Sequence, residues 1–277
     1  MTDQMLTSAV AHRAPNRMWT QIWRRIAFVA PGVAMLLVWQ FASGHLIREV
    51  YVSKPTEIAK RLFELFASGD IWPNLFVTGK ELLLSYVIGV LGGMVLGYAL
   101  GRRPRLASVV EPYVMAFYGI PKIALAPLFI IWFGIGIWSK VMLASTMVFF
   151  LVFYNVYAGV RSIDRDLVNL AMVLGANERQ LGRHIYLPAS APYLLLGMRM
   201  AIPYAVIGVI VGEFTSSVAG LGLFINYSSS TYDPAGVFAG IFILLAFVMS
   251  MNALASHLER RLLRWRRSTN DIPQDAI

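Results

Sequence analysis

The sequence predicts an all-α, polytopic membrane protein with six transmembrane helices. Of its 277 residues, 57% are hydrophobic and only 14% are charged, whereas a soluble domain carries about 25% charged residues. Several charge-free stretches also reach about 20 residues, the length that a helix needs to cross the hydrocarbon core of a bilayer. Both observations indicate that lipid is the main solvent of the chain.

Five of the spans are predicted from apolar stretches that contain no Lys, Arg, Asp or Glu apart from Arg199. These stretches are 26–47, 82–101, 141–160, 192–212 and 234–258. Each is long enough to cross the bilayer once as a helix.

The sixth span must lie between Arg105 and Lys140, where the pattern is less simple. The 34 intervening residues would make a helix of about 51 Å, too long for a hydrocarbon core of about 30 Å. Gly119-Ile120-Pro121 predicts a break there, because proline lacks a backbone donor and restrains the residue before it. The segment is therefore either one span preceded by a broken surface helix, or two spans.

The positions of the arginines favour six spans over seven. With six spans, 16 arginines share one side of the membrane: Arg13, Arg17, Arg24, Arg25, Arg102, Arg103, Arg105, Arg161, Arg165, Arg179, Arg183, Arg260, Arg261, Arg264, Arg266 and Arg267. That side is the cytoplasm by the positive-inside rule, so both termini are predicted to be cytoplasmic. The predicted organisation is a cytoplasmic leader (1–25), a six-helix domain (26–267) that includes a cytoplasmic loop (161–190), and a disordered tail (268–277).

Composition and motifs argue against several other classes of protein. The net charge of +9 comes from arginines at span ends, whereas a nucleic-acid surface interleaves basic and aromatic residues, so we expect no nucleic-acid partner. The chain has no cysteine, and its four histidines lack ligand spacing, so we expect no metal site. The Gly-x-Ser-x-Gly nucleophile motif is also missing from the sequence, and we expect no catalytic residues.

Two connections outside the spans have patterns of their own. The stretch 56–67 places apolar residues at helical spacing and is followed by Gly69, which predicts an amphipathic helix along the membrane surface, with a substrate contact as its alternative role. The stretch 220–230 is rich in glycine and serine and is too short to cross, which predicts a small re-entrant or surface turn.

The loop 161–190 predicts two short helices held outside the membrane. Asp164 can cap the first helix, which carries Leu170 and Leu174 on one face. Gly175 fits the left-handed position after a helix end, where a side chain would clash. An apolar face beside a glycine turn indicates a docking element rather than a passive linker.

The second helix of the loop has its own start and stop signals. Asn177 can cap it, and Gln180 three residues later completes a capping box. Pro188 is expected to end it, since the residue before a proline is pushed out of the helical region. Ser190 and Pro192 are then expected to cap and start the fifth span.

The loop also contains a spaced motif. It runs Asn169-Leu170-Ala171, three residues, Gly175, nine residues, and Ile185-Tyr186-Leu187-Pro188. This resembles the EAA loop of binding-protein-dependent ABC transporter permeases, whose usual form is Glu-Ala-Ala, three residues, Gly, nine residues, Ile, one residue, Leu-Pro. The spacing is the same, but Asn169 and Leu170 stand where the family has Glu and Ala. An acidic contact from the first position is therefore not expected.

Other motifs are similar to those of the sulfonate, nitrate and taurine branch of these permeases. They are Pro121-Lys122, Leu125-Ala126-Pro127-Leu128, Trp132-Phe133-Gly134-Ile135-Gly136 and Gly220-Leu221-Gly222. The likeness covers roughly residues 50–265. It implies a small oxyanion or a small organic compound as the solute, and it leaves the identity of that solute open.

The resemblance implies the six-helix core of a type I ABC importer in the bacterial inner membrane. Two copies of the permease, as a homodimer, would associate with two ATP-binding subunits and with a periplasmic solute-binding protein. ATP and magnesium would bind to the ATPase, because this chain has no P-loop: its one Gly-Lys pair, Gly79-Lys80, is followed by Glu81. No cofactor is expected on this chain, which would not itself be an enzyme.

The resemblance also implies that part of the loop is a coupling helix that docks on the ATPase. The residues expected to form the docking surface are Asn169, Leu170, Ala171, Leu174, Gly175, Ala176, Asn177, Glu178, Arg179, Leu181, Ile185, Leu187 and Pro188. ATP binding would close the ATPase dimer, and the coupling helices would rock the permease between inward-facing and outward-facing states.

Candidates for the translocation path are Tyr118, Arg199 and Glu213. Arg199 has a helix–helix contact or snorkelling as its alternative role, and Glu213 is expected at the outer interface. Lys122 and Lys140 are expected to anchor the ends of the third and fourth spans, with attraction of substrate as the alternative. An ATP-independent channel or secondary carrier is the alternative function. It would need carboxylates in mid-span, which the predicted spans lack.

Overall fold

A computed structural model describes residues 17–262 of the chain, and the regular elements in that part are helical. In chain order the α-helices are α1 (Arg17–His45), α2 (Pro55–Ser68), α3 (Ile71–Gly101), α4 (Pro104–Gly119), α5 (Ala126–Phe133), α6 (Ile137–Arg161), α7 (Arg165–Val173), α8 (Glu178–Leu181), α9 (Leu187–Thr215), α10 (Leu221–Ser230) and α11 (Pro234–Leu262). A 3-10 turn (Lys122–Leu125) precedes α5, and a π-helical turn (Gly182–Tyr186) joins α8 to α9. The predicted tail 268–277 and residues 1–16 of the predicted leader lie outside the described residues.

The centre of the fold is a bundle of α3, α6 and α9. Their facing sides carry small and branched apolar residues that are buried, among them Val90, Val148, Val152, Ala201 and Val209. α6 lies in the middle and packs closely against both neighbours. The loop 161–190 lies at one end of the bundle, termed the loop end. The starts of α3 and α6 and the end of α9 lie at the opposite end.

Glycine brings α3 close to α6. The glycines on the contact face repeat every four residues, at Gly89, Gly93, Gly97 and Gly101. A Cβ atom on Gly93 would lie 2.6 Å from the carbonyl oxygen of Phe149 and 2.9 Å from the amide nitrogen of Phe153. Small residues permit this close approach of backbones between membrane helices.

Four helical stretches in the described part are long and apolar enough to cross a membrane: Ile71–Gly101, Ile137–Arg161, Glu178–Thr215 and Pro234–Arg261. A fifth crossing results if Pro104–Gly119 and Lys122–Phe133, which meet at 82°, form one broken span. The break predicted at Gly119-Ile120-Pro121 is thus confirmed. α1 covers most of the predicted first span, and six spans with two cytoplasmic termini stay a prediction.

Two predictions are wrong, one about where a helix begins and one about the structure of a connection. α3 begins at Ile71, well before the predicted span, because Thr78 and Glu81 are buried against other helices instead of facing water in a loop. The stretch 220–230 is mainly the helix α10 and not a turn. Its first residue, Leu221, is fully buried, and α10 packs on α11.

The predicted amphipathic helix is α2, which ends where Gly69 adopts a left-handed conformation with a φ of +86°. Its apolar residues Ile58 and Leu65 are buried. Arg61 forms an ion pair with Asp233 just before α11, with 3.2 Å between Nη2 and Oδ2. α2 is therefore held against α11 through both apolar and charged contacts.

Candidate functional site

The loop 161–190 folds as two short helices joined at a glycine. The Asp164 side chain accepts a hydrogen bond from the amide of Asp166 at 2.8 Å and so starts α7. Gly175 follows the end of α7 with a φ of +88°, a conformation that residues with a side chain rarely adopt. The predicted cap and the predicted glycine turn are both confirmed.

α8 begins with the predicted capping box. The Asn177 side chain accepts from the amide of Gln180 at 2.9 Å, and the Gln180 side chain accepts from the amide of Asn177 at 2.8 Å. The prediction that Pro188 ends this helix is wrong, because the π-helical turn continues it into α9. In that turn the Leu187 amide donates to the Gly182 carbonyl, while Pro188 has no amide to satisfy.

The second half of the loop is consequently an extension of a membrane helix. The continuous helix Glu178–Thr215 contains 38 residues. Ser190 and Pro192 lie inside it and not at its start, contrary to the prediction. α8 and α9 are therefore parts of one continuous helix.

The apolar face of the loop is open. Leu170, Val173 and Leu174, termed the apolar knob, are 57%, 84% and 79% exposed. Val173 is the member that the sequence motif did not indicate. A shallow cavity of about 350 Å³ beside the knob is lined by Ala171, Leu174, Gly175, Ala176, Gln180, Leu181, His184 and Ile185. Contiguous exposed apolar patches are a common feature of interaction surfaces.

The predicted docking residues differ in their exposure. The exposed members are Asn169, Leu170, Leu174, Gly175, Asn177, Glu178, Arg179, Leu187 and Pro188. Ala171, Ala176 and Ile185 are half-buried, and Leu181 is buried. Leu181 is therefore the one predicted docking residue with almost no surface open to solvent.

A basic side chain directly after the end of α3 holds α8. Arg102 Nη2 donates to the carbonyl oxygen of Glu178 at 3.0 Å and lies 2.5 Å from its carboxylate. The guanidinium also lies over the rings of Tyr98 and Tyr186, 5.6 and 4.9 Å from their centroids. Tyr98 Oη donates to the carbonyl of Gly182 at 3.2 Å. Sequence reasoning missed this set of contacts, termed the Arg102 clasp, because its two sides are 76 residues apart.

At the opposite end of the bundle, α3, α6 and α9 each contribute one buried charged residue. These residues, Glu81, Lys140 and Glu213, are termed the polar cluster and are at most 4% exposed. Lys140 Nζ lies 2.8 Å from Glu81 Oε1 and donates to the Ser217 hydroxyl at 2.8 Å. Glu213 and Lys140 lie close to the ends of α9 and α6, and both are enclosed by protein, with their partners inside the bundle.

Glu213 holds the turn that leads into α10. Its Oε1 accepts from the Thr78 hydroxyl at 2.6 Å, and its Oε2 accepts from the amide of Gly222. The Thr78 hydroxyl accepts in turn from the amide of Leu221 at 2.8 Å. Gly220 has a φ of +135°, and a Cβ atom there would collide with the Glu213 carboxylate. The turn thus depends on glycine for its close approach to the polar cluster.

The three path candidates lie in different places. Tyr118 borders a cavity at the break between α4 and α5. Arg199 contacts α11, where it donates to the Ser256 hydroxyl and lies 3.5 Å from the Glu259 carboxylate. Glu213 belongs to the polar cluster. The structure therefore does not bring the three together.

Comparison with known proteins identifies relatives. Residues 89–264 match the family described as binding-protein-dependent transport system inner membrane component. The formylaminopyrimidine transport permease protein ThiX of Halalkalibacterium halodurans is 34% identical over 84% of this chain and 93% of its own length. The taurine transport system permease protein TauC of Escherichia coli is 27% identical over 87% of this chain and 90% of its own.

A solved structure has a similar fold. It is the MetNI methionine ABC transporter in inward-facing conformations, with a TM-score of 0.60 and 19% identity over 70% of this chain and 98% of that chain. At that identity the likeness concerns the fold alone. The taurine permease, in addition, supports the resemblance to the sulfonate, nitrate and taurine branch. The chain belongs to the binding-protein-dependent inner-membrane permeases of ABC transporters, and it is a multi-pass protein of the inner membrane.

Proposed function

We propose that this permease moves a small oxyanion or small organic solute into the cell, driven by a separate ATPase that docks on the loop 161–190. The observation that carries the proposal is the apolar knob, whose leucines and valine are exposed at the end of the bundle. Exposed apolar side chains gain free energy when a partner covers them. The ATPase of an ABC importer is the partner that a coupling loop in this place would meet.

The complete transporter would contain two copies of this chain as a homodimer, two ATP-binding subunits and a periplasmic solute-binding protein. ATP and magnesium would bind to the ATPase. Six spans with both termini in the cytoplasm would place the knob on the side of the ATPase. Arg102, Arg161 and Arg165 at the loop end support this orientation, because basic residues concentrate on the cytoplasmic side.

Two connections would carry a movement of the knob into the membrane. α8 continues into α9, and the Arg102 clasp ties α8 to α3. Because α3, α6 and α9 pack closely, a displacement of α8 would move them together. ATP would then shift the balance between inward-facing and outward-facing states only through contacts that differ between those states.

A secondary carrier is the competing function, and one observation favours it. Glu81 and Glu213 are carboxylates inside membrane helices, as a carrier requires. Their burial argues against such a role, because a carboxylate that exchanges ions must reach water, and both are at most 1% exposed. A carrier also offers no reason for the exposed apolar knob.

The experiment that tests the proposal replaces Leu174 by aspartate. We expect Leu174→Asp to raise the Kd of the ATPase subunit for the permease by about thirtyfold, the effect of losing a contact that contributes about 2 kcal/mol. The amount of ATPase that copurifies with tagged permease should fall accordingly, by up to the same factor. The physical reason is that a charge placed in an apolar contact loses its hydration without gaining a partner. Quantitative immunoblotting of the purified complex measures the change.

Val218→Asp is the matched control, because Val218 is an apolar residue that is 90% exposed at the opposite end of the bundle. It should leave the amount of bound ATPase unchanged. Undiminished ATPase binding by Leu174→Asp, or solute uptake that continues after the ATPase gene is deleted, would contradict the proposal.

A further inference from the structure

The chain breaks between α4 and α5, and a cavity of about 440 Å³ opens at the break. Its lining includes Tyr118, Lys122, Met147, Leu151, Tyr204 and Ile207. Met147 and Leu151 flank the midpoint of α6, a helix of 25 residues, so the cavity lies about 15–20 Å from either end of that helix. The cavity is therefore near the middle of the membrane-spanning bundle.

Lys122 is the charged residue of this lining. Its ammonium donates to the backbone carbonyls of Tyr118 and, at 3.4 Å, of Ile120, at the C-terminal end of α4. It also lies 4.5 and 4.7 Å from the ring centroids of Tyr118 and Phe150. Carbonyl oxygens and ring faces supply only partial negative charge. Among residues 17–262, no carboxylate oxygen is recorded within 4.0 Å of this ammonium.

Two basic residues inside membrane helices differ from Lys122 in this respect. Lys140 lies 2.8 Å from Glu81, and Arg199 lies 3.5 Å from Glu259, so each has a full counter-charge. Lys122 instead places a positive charge at the wall of a cavity with only the partial negative charges of carbonyls and rings to balance it. Such a charge is costly at membrane depth unless it serves a solute or ion.

We propose that Lys122 binds the acidic group of the transported solute, and that this solute is a small organic monoanion. One ammonium matches one negative charge. The apolar walls and the rings of Tyr118 and Tyr204 suit a compact apolar or aromatic body rather than a polyol or a multiply charged ion. This inference rests on the proposed function and narrows its solute to an organic sulfonate or carboxylate, in preference to an uncharged heterocycle or an inorganic oxyanion.

The absence of cysteine from the chain allows a direct test, because a single introduced thiol reports on the cavity. Ile207 lines the cavity and is 43% exposed. The substitution Ile207→Cys is made in the assembled transporter. Reaction rates are measured with two methanethiosulfonate reagents of similar size, one carrying a sulfonate and one a trimethylammonium group. The ratio of the two rates measures the charge preference of the cavity.

We expect the anionic reagent to react faster, and Lys122→Met to lower the ratio by at least about tenfold, because a unit charge at short range is removed. Lys122→Arg should preserve the ratio. Lys80→Met removes the same charge outside the lining and should leave the ratio unchanged. A ratio that does not respond to Lys122→Met, or a thiol that neither reagent reaches, would overturn the proposal.

A second measurement tests the class of ligand. Benzenesulfonate and benzenesulfonamide have similar shapes but differ in charge. We expect benzenesulfonate to slow the alkylation of the Ile207→Cys thiol by uncharged N-ethylmaleimide, and benzenesulfonamide to leave the alkylation rate unchanged. In the Lys122→Met variant, benzenesulfonate should no longer protect the thiol. Equal protection by both compounds, or by neither, would overturn the proposal. If the ATPase still copurifies with the chain in that case, the importer mechanism stands and only the role of Lys122 fails.

Discussion

Lys140→Met is expected to destabilise the folded protein by about 3–5 kcal/mol, because it leaves the buried carboxylate of Glu81 without its counter-charge. The side chains of Lys140 and Glu81 are 5% and 1% exposed, so water cannot take the place of the lost ammonium. Glu213 adds to the effect, since it is a second buried carboxylate in the same polar cluster. The loss should appear as a lower unfolding temperature in detergent and a smaller yield of monodisperse protein.

A second replacement tests whether charge is the cause. Glu81→Gln should restore much of the stability lost in Lys140→Met, because the uncompensated charge then disappears. Lys80→Met is the control: Lys80 is exposed beside Glu81 on α3, and its replacement should change the free energy of unfolding by less than about 0.5 kcal/mol. A Lys140→Met protein as stable as the wild type would argue against an electrostatic role for the Lys140–Glu81 pair. So would a Lys140→Met, Glu81→Gln double variant that is no more stable than Lys140→Met alone.

Local sequence rules are sufficient for much of the loop 161–190. The capping box of Asn177 and Gln180 depends on two residues one turn apart, and the left-handed conformation of Gly175 depends on that residue alone. The break at Pro121 likewise follows from the proline ring and the residue before it. These features need no knowledge of the rest of the fold, and the structure contains all of them.

Features that join distant parts of the chain could not be predicted in this way. Glu81 has the pattern of a polar loop residue until Lys140, on another helix, supplies its partner, which is why the start of α3 was predicted too late. Arg102 has the pattern of a basic residue flanking a span, yet it holds Glu178. Hydropathy does not distinguish a charge buried against a partner from a charge in water. Gly220 and Gly222 are the signal in the sequence that could have indicated the polar cluster, because a Cβ atom at either position would collide with Glu213.

Gly93→Ala is expected to destabilise the protein by about 2–3 kcal/mol, which lies in the upper part of the usual range for an overpacked core. This loss is expected even though alanine is more favourable than glycine within a helix by about 1 kcal/mol. The added methyl group would meet the carbonyl oxygen of Phe149 at 2.6 Å and the amide nitrogen of Phe153 at 2.9 Å. Backbone atoms cannot rotate away as a side chain can, so α3 and α6 would have to separate. Thermal unfolding of the purified protein in detergent measures the loss.

Gly79→Ala makes the same chemical change on the same helix and serves as the control. A Cβ atom there would lie 3.4 Å from the ring of Phe247, an ordinary contact, so this variant should be as stable as the wild type or more stable by up to about 1 kcal/mol. If Gly93→Ala lowers the stability and Gly79→Ala does not, the loss of stability comes from the contact of α3 with α6. Equal stability would mean that the two helices can part at Gly93 without cost, and close packing would then not be what makes α3 and α6 move together.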